Sequence, residues 1–243
     1  MAGHSKWANT KHRKAAQDSK RAKIWTKLLK EVGVAVKQGG PDADSNPRLR
    51  LAMQNCRGGN VPKDNIERAI AKASGAGAED YIETTFEGYG PDGVAVFVEC
   101  ATDNNTRTVS AVRSYFTKCG GSLGKDGCLQ FIFDRKSIFT LARESVSMDD
   151  DDFMMEMIDA GAEDVDYSDD EFIMVIAAME DFGSVSTKLH EMDIEPKEAG
   201  LKRIPNNFKA LEGKSLEMFE KLIDLLEDND DVQQVYHNLE FNE

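Results

Sequence analysis

The first thirty residues carry the side chains whose chemistry is clearest in this sequence. Nine of them are Lys or Arg, and Asp18 is the only acid. Trp7 and small polar residues such as Ser5 and Asn9 stand between the cations. Lys and Arg supply the charge that neutralises phosphates, hydroxyl and amide groups fix the contact geometry, and an aromatic ring stacks on an unpaired base. The segment therefore predicts contact with the backbone of a polyanion. Packing of Trp7 against its own helices is the alternative to base stacking.

Charge divides the chain into two unequal parts. Residues 1–75 contain 16 Lys and Arg against 6 Asp and Glu, a net charge of +10. Residues 76–243 contain 14 against 38, a net charge of −24, and the overall formal charge of −14 hides this division. We expect a polyanion to approach the first part and to be repelled by the rest.

Two glycine motifs resemble catalytic or cofactor motifs but lack the context these need. Residues 88–93 fit G-x-G-x-x-G, yet an apolar strand pattern follows where a dinucleotide-binding turn requires a helix, so a hairpin turn is predicted. Residues 120–124 fit G-x-S-x-G, but here a helix precedes and a strand follows, the reverse of a nucleophile elbow. Neither motif predicts catalysis.

Metal sites are equally poorly supported. Asp42, Asp44 and Asn46 begin like a calcium loop, but Pro47 stands where glycine is needed and Met53 where a bidentate Glu is needed. The acidic run at residues 149–152 is predicted to cap a helix. The four cysteines and four histidines lack disulfide or zinc spacing, so we expect reduced and mostly buried thiols. The sequence predicts no catalytic residue, no metal and no cofactor. An enzyme with a carboxylate-lined cleft stays open as an alternative.

The elements that position the basic segment begin with a helix starting near Lys20. An apolar stripe runs along it at helical spacing, and a basic stripe of Lys20, Lys23, Lys27 and Lys30 runs along another side. Asn46 and Pro47 predict the N-terminus of a second helix, and Pro62 that of a third. After Gly77 the pattern changes to ββαβ, whose last strand is predicted at residues 128–133, then βαββαβ and a final αβ.

This order predicts an α+β protein with a small N-terminal helical bundle followed by two ferredoxin-like α+β domains, one inserted in the other. Residues 1–77 form the basic helical domain. Residues 78–135 and 207–243 together form one α+β domain, and residues 136–206 form the inserted ferredoxin-like domain.

Several stretches resemble the YebC family of bacterial proteins, which is related to a mitochondrial translational activator. They are MAGHSKWANTKHRKAAQDSKRAK, NPRLRLAMQN, VPKDNIERAI, FEGYGPDGVAVFVE and TDNNTRTVSAVR. Ala22 and Trp25 stand where the family more often has Gly and Phe, and Thr106 replaces a usual Asn, but none of these departures removes a cation. The resemblance implies a helical first domain, two α+β domains and a non-enzymatic role. It also implies DNA-binding transcriptional regulation or, for some members, action at the ribosome on proline-rich messages.

The candidate nucleic-acid-binding residues come from two sources. The family's basic signature is matched by His4, Lys6, Trp7, Lys11, His12, Arg13, Lys14 and Lys20. The basic start of the first helix adds Arg21, Lys23 and Lys27.

The function predicted from these residues is a non-enzymatic regulator of gene expression that binds DNA or ribosomal RNA through residues 1–75. The alternatives are a ribosome-bound translation factor that relieves stalling on proline-rich messages and a module whose acidic domains dock protein partners. Apolar runs are far shorter than the ~20 residues of a membrane helix. A cytoplasmic location is expected, with a mitochondrial presequence as the alternative reading of the basic start.

Overall fold

A computed structural model describes residues 21–75 and 80–240, and helices form the first of these two ranges. They are α1 (Arg21–Gly39), α2 (Pro47–Gly58) and α3 (Lys63–Ser74). Val32, Leu49, Cys56 and Ile66 are buried in their shared core, and α1 packs against both other helices. Residues 21–75 are called the helical unit below.

Asn46 fixes the angle between α1 and α2. Its Oδ1 accepts from the Leu49 N–H at 3.0 Å, while its Nδ2 donates to the carbonyls of Ala35 at 2.7 Å and Gly40 at 2.8 Å. The buried amide thus satisfies backbone groups of both helices. The predicted N-cap, with Pro47 at the first helical position, is confirmed.

The first sheet follows the helical unit. Its strands are β1 (Ile82–Tyr89), β2 (Ala95–Thr102), β3 (Ser122–Leu123) and β9 (Val232–His237), in the order β3-β1-β2-β9 with antiparallel neighbours. Helices α4 (Asn105–Lys118) and α7 (Gly213–Glu227) bury Phe116 and Phe219 against alternate residues of β2. The chain leaves this sheet after β3 and returns to it only with β9.

The second sheet is built in between. Its elements are β4 (Phe133–Ala142), α5 (Asp150–Asp159), β5 (Ala162–Asp166), β6 (Phe172–Ala178), α6 (Phe182–Glu191) and β7 (Glu198–Pro205). The strand order β5-β6-β4-β7 is that of a ferredoxin-like βαββαβ unit. Two short strands, β8 (Lys209–Ala210) and β10 (Leu239–Glu240), pair in parallel near the chain end. The predicted α+β class is confirmed.

The strand predicted at residues 128–133 is wrong. This stretch forms turns, the partner strand is the two-residue β3, and Phe133 begins β4. The Glu87 carboxylate accepts from the N–H groups of Gly127 at 2.9 Å and Leu129 at 2.6 Å, so these groups are satisfied without a strand partner. Leu129 and Phe133 both bury their side chains beside Phe97.

The rejected motifs have structural roles. Residues 88–93 lie in the β1–β2 hairpin, which turns through the 3-10 segment Pro91–Gly93 with φ of 80° at Gly93. A Cβ at Gly121 would lie 2.4 Å from the Tyr89 carbonyl, so this glycine allows β3 to approach β1. The Asp149 side chain accepts from the Asp151 N–H, which confirms the predicted helix cap.

The helical unit contacts the second sheet through α2. The side-chain amide of Asn55 donates to the Ala199 carbonyl and accepts from the Ala199 N–H, both at 2.9 Å. These bonds satisfy backbone groups of β7, which is an edge strand. Three residues further along α2, a Cβ at Gly58 would lie 1.8 Å from the Lys197 carbonyl oxygen. Only glycine allows this approach.

We expect Gly58→Ala to destabilise the protein, although the same change in a helix normally stabilises it. The added methyl group must push α2 away from Lys197, at a cost of about 1–3 kcal/mol. Gly33→Ala in α1 is the matched control, because its Cβ would meet only Tyr81 at 4.0 Å. That variant should gain about 0.5–1 kcal/mol. Chemical denaturation of both variants measures the difference, and two shifts of the same sign would refute the assigned contact.

Candidate nucleic-acid interface

Most of the predicted nucleic-acid-binding residues precede the described part of the chain. His4, Lys6, Trp7, Lys11, His12, Arg13, Lys14 and Lys20 lie outside the described residues. Arg21 begins α1, but its side chain also lies outside the description. Lys23 and Lys27 are the two predicted residues whose environment the structure gives.

Helix α1 has an apolar side and a basic side, and both are in contact with protein. On the apolar side, Trp25 packs in the helical core, and its Nε1 donates to the Gly59 carbonyl at 3.0 Å. Trp25 therefore has a structural role. The basic side faces the first sheet and the loop of residues 228–231, Asp-Asn-Asp-Asp, which joins α7 to β9 and is called the acidic loop below.

Lys30 is the most deeply placed residue of this basic side. Its Nζ donates to the carbonyls of Asp230 at 2.6 Å and Ala101 at 3.1 Å, and lies 3.5 Å from the Asp231 carboxylate. The Lys30 and Asp231 side chains are each only 10% exposed. Because breaking one partner of a buried pair leaves the other charge uncompensated, this contact fixes α1 against the first sheet.

Asp231 joins three elements at this point. Its second carboxylate oxygen accepts from Arg107 at 2.8 Å and from the Thr108 hydroxyl at 2.9 Å, both at the start of α4. Burial alone would raise the pKa of the Asp231 carboxyl. The hydrogen bonds from Arg107 and Thr108, with the charges of Lys30 and Arg107, outweigh burial, so this pKa lies below its ordinary value.

Lys23 and Lys27 continue the basic side toward the N-terminus. The Lys23 Nζ lies 2.8 Å from the Asp228 carboxylate, with side chains 42% and 53% exposed. Lys27 is half-buried near Cys100. Burial raises the pKa of the Cys100 thiol to about 12, and the positive charges of Lys27 and Lys30 oppose that rise. The contacts of α1 thus become more exposed from Lys30 to Lys23.

Other cations of the helical unit also form ion pairs. Lys37 pairs with Asp80 at 2.8 Å, and Arg57 pairs with Glu195 at 3.0 Å. Arg48 donates to Glu83 of β1 at 2.6 Å and to Glu31 of α1 at 2.8 Å. Its hydrogen bond is the main reason that the pKa of Glu83 lies below its ordinary value. These ion pairs neutralise part of the positive charge from which the sequence analysis predicted polyanion binding.

The two α+β parts also meet through a cation. Arg203 of β7 donates to Glu99 of β2 at 3.1 Å, and its guanidinium lies 3.7 Å from the centre of the Phe97 ring. A guanidinium stacked on an aromatic face while it pairs with a carboxylate uses both its charge and its planar surface.

Sequence reasoning missed Asp231, Arg48 and Arg203, because each acts on a residue distant along the chain. For Asp231, the available sequence signal was the TDNNTRTVSAVR stretch, which contains its partners Arg107 and Thr108.

Potential metal ligands are dispersed among the described residues. None of their His, Cys, Asp and Glu side chains form a group of three or more placed to hold a metal ion. Cys56, Cys100 and Cys119 are buried and unpaired, as predicted, and burial raises the pKa of Cys56 to about 11. His237 packs edge-on against Phe219, with ring centres 5.1 Å apart.

Among the described helices, none combines the length and apolar character that crossing a membrane requires.

Comparison with known proteins gives matches along the whole chain. Residues 5–76 match the model of the TACO1/YebC protein N-terminal domain, and residues 81–239 match that of the TACO1/YebC second and third domain. A protein of Amoebophilus asiaticus is 50% identical over 100% of this chain and 99% of its own length. One of Syntrophotalea carbinolica is 52% identical over 100% and 97%. Both are named probable transcriptional regulatory proteins.

A solved structure is also similar. The crystal structure of a conserved hypothetical protein from Aquifex aeolicus superposes with a TM-score of 0.82 at 36% identity, covering 94% of each chain.

We expect Asp231→Asn to lower the stability of the protein by about 1–3 kcal/mol at pH 7, because charged hydrogen bonds to Arg107 and Thr108 are lost. The folded carboxyl has the lower pKa, so its stabilisation is present above the unfolded value of about 4 and is lost as pH falls through the folded value. The gap between wild type and variant should therefore close on acidification below about pH 4. Denaturation from pH 7 to pH 2.5 measures it.

Asp230→Asn is the control for that series. It removes the same charge from the preceding residue, which is exposed and whose carboxylate forms no ion pair within the described residues. A loss of stability as large as that of Asp231→Asn would contradict the role assigned to the buried carboxylate.

Proposed function

Because this chain belongs to the TACO1/YebC family, we propose that it is a non-enzymatic regulator of gene expression that binds nucleic acid. The names of its relatives, probable transcriptional regulatory proteins, support this role. So does the division of charge, with +10 in residues 1–75 and −24 in the remainder. A phosphate backbone is attracted to the first part, while the acidic body repels nucleic acid in other orientations or faces protein partners.

The proposed phosphate contacts are assigned from the distribution of ion pairs in the helical unit. Lys30 and Arg48 hold the helical unit against the first sheet, so their charges are largely committed. Residues 1–20 contain five Lys and Arg against Asp18 alone. We therefore assign the first phosphate contacts to this stretch, through His4, Lys6, Trp7, Lys11, His12, Arg13, Lys14 and Lys20. Arg21, Lys23 and Lys27 continue the surface along α1.

The contacts are proposed to be made mainly to the backbone rather than to base edges. A recognition helix places one exposed polar side in the major groove. The basic side of α1 instead faces the acidic loop and the first sheet. Backbone contact suits ribosomal RNA as well as duplex DNA, so a ribosome-bound translation factor is the second candidate function. Both candidates act in the cytoplasm.

Changing Lys11, Arg13 and Lys14 together to Ala should weaken nucleic-acid binding and its salt dependence. Each phosphate contact contributes a slope of about −0.9 to log affinity against log salt on duplex and about −0.7 on single strands. The triple change should flatten the slope by two to three contacts of roughly that size. Fluorescence anisotropy with labelled DNA and RNA measures it.

Lys118, Lys214 and Lys221, all exposed on the acidic body, provide a charge-matched triple change to Ala as control. This variant should keep the wild-type slope apart from the general effect of three lost charges. Equal slopes in the two triple variants would show that Lys11, Arg13 and Lys14 are not phosphate contacts.

Sedimentation of a cell lysate through sucrose at modest salt separates the two candidates. A transcriptional regulator should remain near the top of the gradient or follow DNA. A translation factor should migrate with ribosomal subunits, and the Lys11, Arg13 and Lys14 triple variant should lose that migration. Such behaviour would rule out a purely transcriptional role.

A further inference from the structure

The Lys23–Asp228 pair lies at the border between the docked part of α1 and the segment assigned to nucleic acid. Lys30, seven residues further along the helix, is 10% exposed and fixed to Asp231, whereas Lys23 and Asp228 are 42% and 53% exposed. Lys23 is thus close to residues 1–20 in sequence and open to solvent, yet its ammonium is already bound by a carboxylate at 2.8 Å.

The Asp228 carboxylate pairs with the Lys23 ammonium at the C-terminus of α7. Asp228 is the C-cap of α7, and its own N–H donates to the Asp224 carbonyl. The C-terminus of a helix carries partial negative charge from its last carbonyls, which adds to the attraction for the Lys23 ammonium. The acidic loop therefore presents a carboxylate, a helix terminus and the Asp230 carbonyl to one basic stripe. A nucleic-acid backbone would also offer that stripe closely spaced anionic oxygens.

We propose that Lys23 is a backbone-phosphate site that the Asp228 carboxylate occupies in the free protein, so that bound nucleic acid must displace Asp228. This inference rests on the proposed function and assigns a competitor within the chain to one of its contacts. The competitor lowers affinity for every polyanion, and it is overcome where several neighbouring cations of residues 1–20 are engaged at once.

The solvent exposure of each ion pair on the basic side of α1 determines which pair a phosphate can displace. An exposed ion pair changes an equilibrium by at most about five-fold, so a phosphate replaces the Asp228 carboxylate at little cost. The Lys30–Asp231 pair is buried and is shared with Arg107 and Thr108, so breaking it would undo the contact between α1 and the first sheet. The accessible surface therefore ends between Lys30 and Lys23, and the domain arrangement persists in the complex.

Asp228→Asn should bind nucleic acid about two- to five-fold more tightly than Asp230→Asn at the same salt concentration. The two variants remove equal charge from the same loop, but the Asp230 carboxylate has no ion pair with Lys23. General electrostatic repulsion is therefore equal in both. The salt slope of Asp228→Asn should also be steeper, by up to about 0.9 on duplex DNA, since no carboxylate takes up a cation when Lys23 meets a phosphate.

A Lys23→Gln background completes the experiment. The full chain with Lys23→Gln, alone and combined with each loop change, is titrated against a labelled DNA duplex and a labelled single-stranded RNA. Thermal denaturation first establishes that the variants are folded. The advantage of Asp228→Asn over Asp230→Asn should be at least halved when Lys23 is replaced.

The possible results distinguish failure of the Asp228 competition from failure of the proposed function. Wild-type binding with equal affinities of Asp228→Asn and Asp230→Asn would overturn the competition and leave the proposed function intact. An advantage of undiminished size without Lys23 would do the same, because the effect would not pass through that residue. Wild type and variants that ignore both nucleic acids at low salt would overturn the proposed function and this inference together.

Discussion

The buried contact between Lys30 and Asp231 is the constraint on which the arrangement of this protein depends. Charges removed from water are stable only when each has a partner and its remaining hydrogen bonds are satisfied. Here the Asp231 carboxylate meets Lys30, Arg107 and Thr108, and Lys30 also donates to two carbonyls. The helical unit, the start of α4 and the return of the chain into β9 therefore meet at one position.

This constraint changes the meaning of the positive charge in the first part of the chain. Arg48, half-buried between Glu83 of β1 and Glu31 of α1, extends the same principle to another contact with the first sheet. A cation that holds a domain contact is a poor phosphate ligand, because binding would leave its former partner unpaired. The polyanion surface that we propose is therefore narrower than the +10 charge implies. It is centred on residues 1–20 and the exposed start of α1.

The sequence predicted most of the local structure. The N-cap at Asn46, the β1–β2 hairpin, the acidic helix cap and the βαββαβ order were all confirmed, because each depends on neighbouring residues or on a repeated apolar period. The strand predicted at residues 128–133 was wrong, since Glu87, forty residues earlier in the chain, binds the N–H groups of that segment and stabilises turns. The phosphate contacts of residues 1–20 stay a prediction.

By itself, the sequence determined that this chain is electrically divided, that it is an α+β protein and that it resembles one family. Composition, periodicity and motif spacing are properties of the linear chain and need no knowledge of contacts. Only the tertiary structure decided that the Lys30 side chain is 10% exposed, that Lys23 faces Asp228 and that Asn55 bonds to Ala199. The physical reason is that 30 cations and 44 acids allow very many pairings. Distance and desolvation in the folded protein select among them.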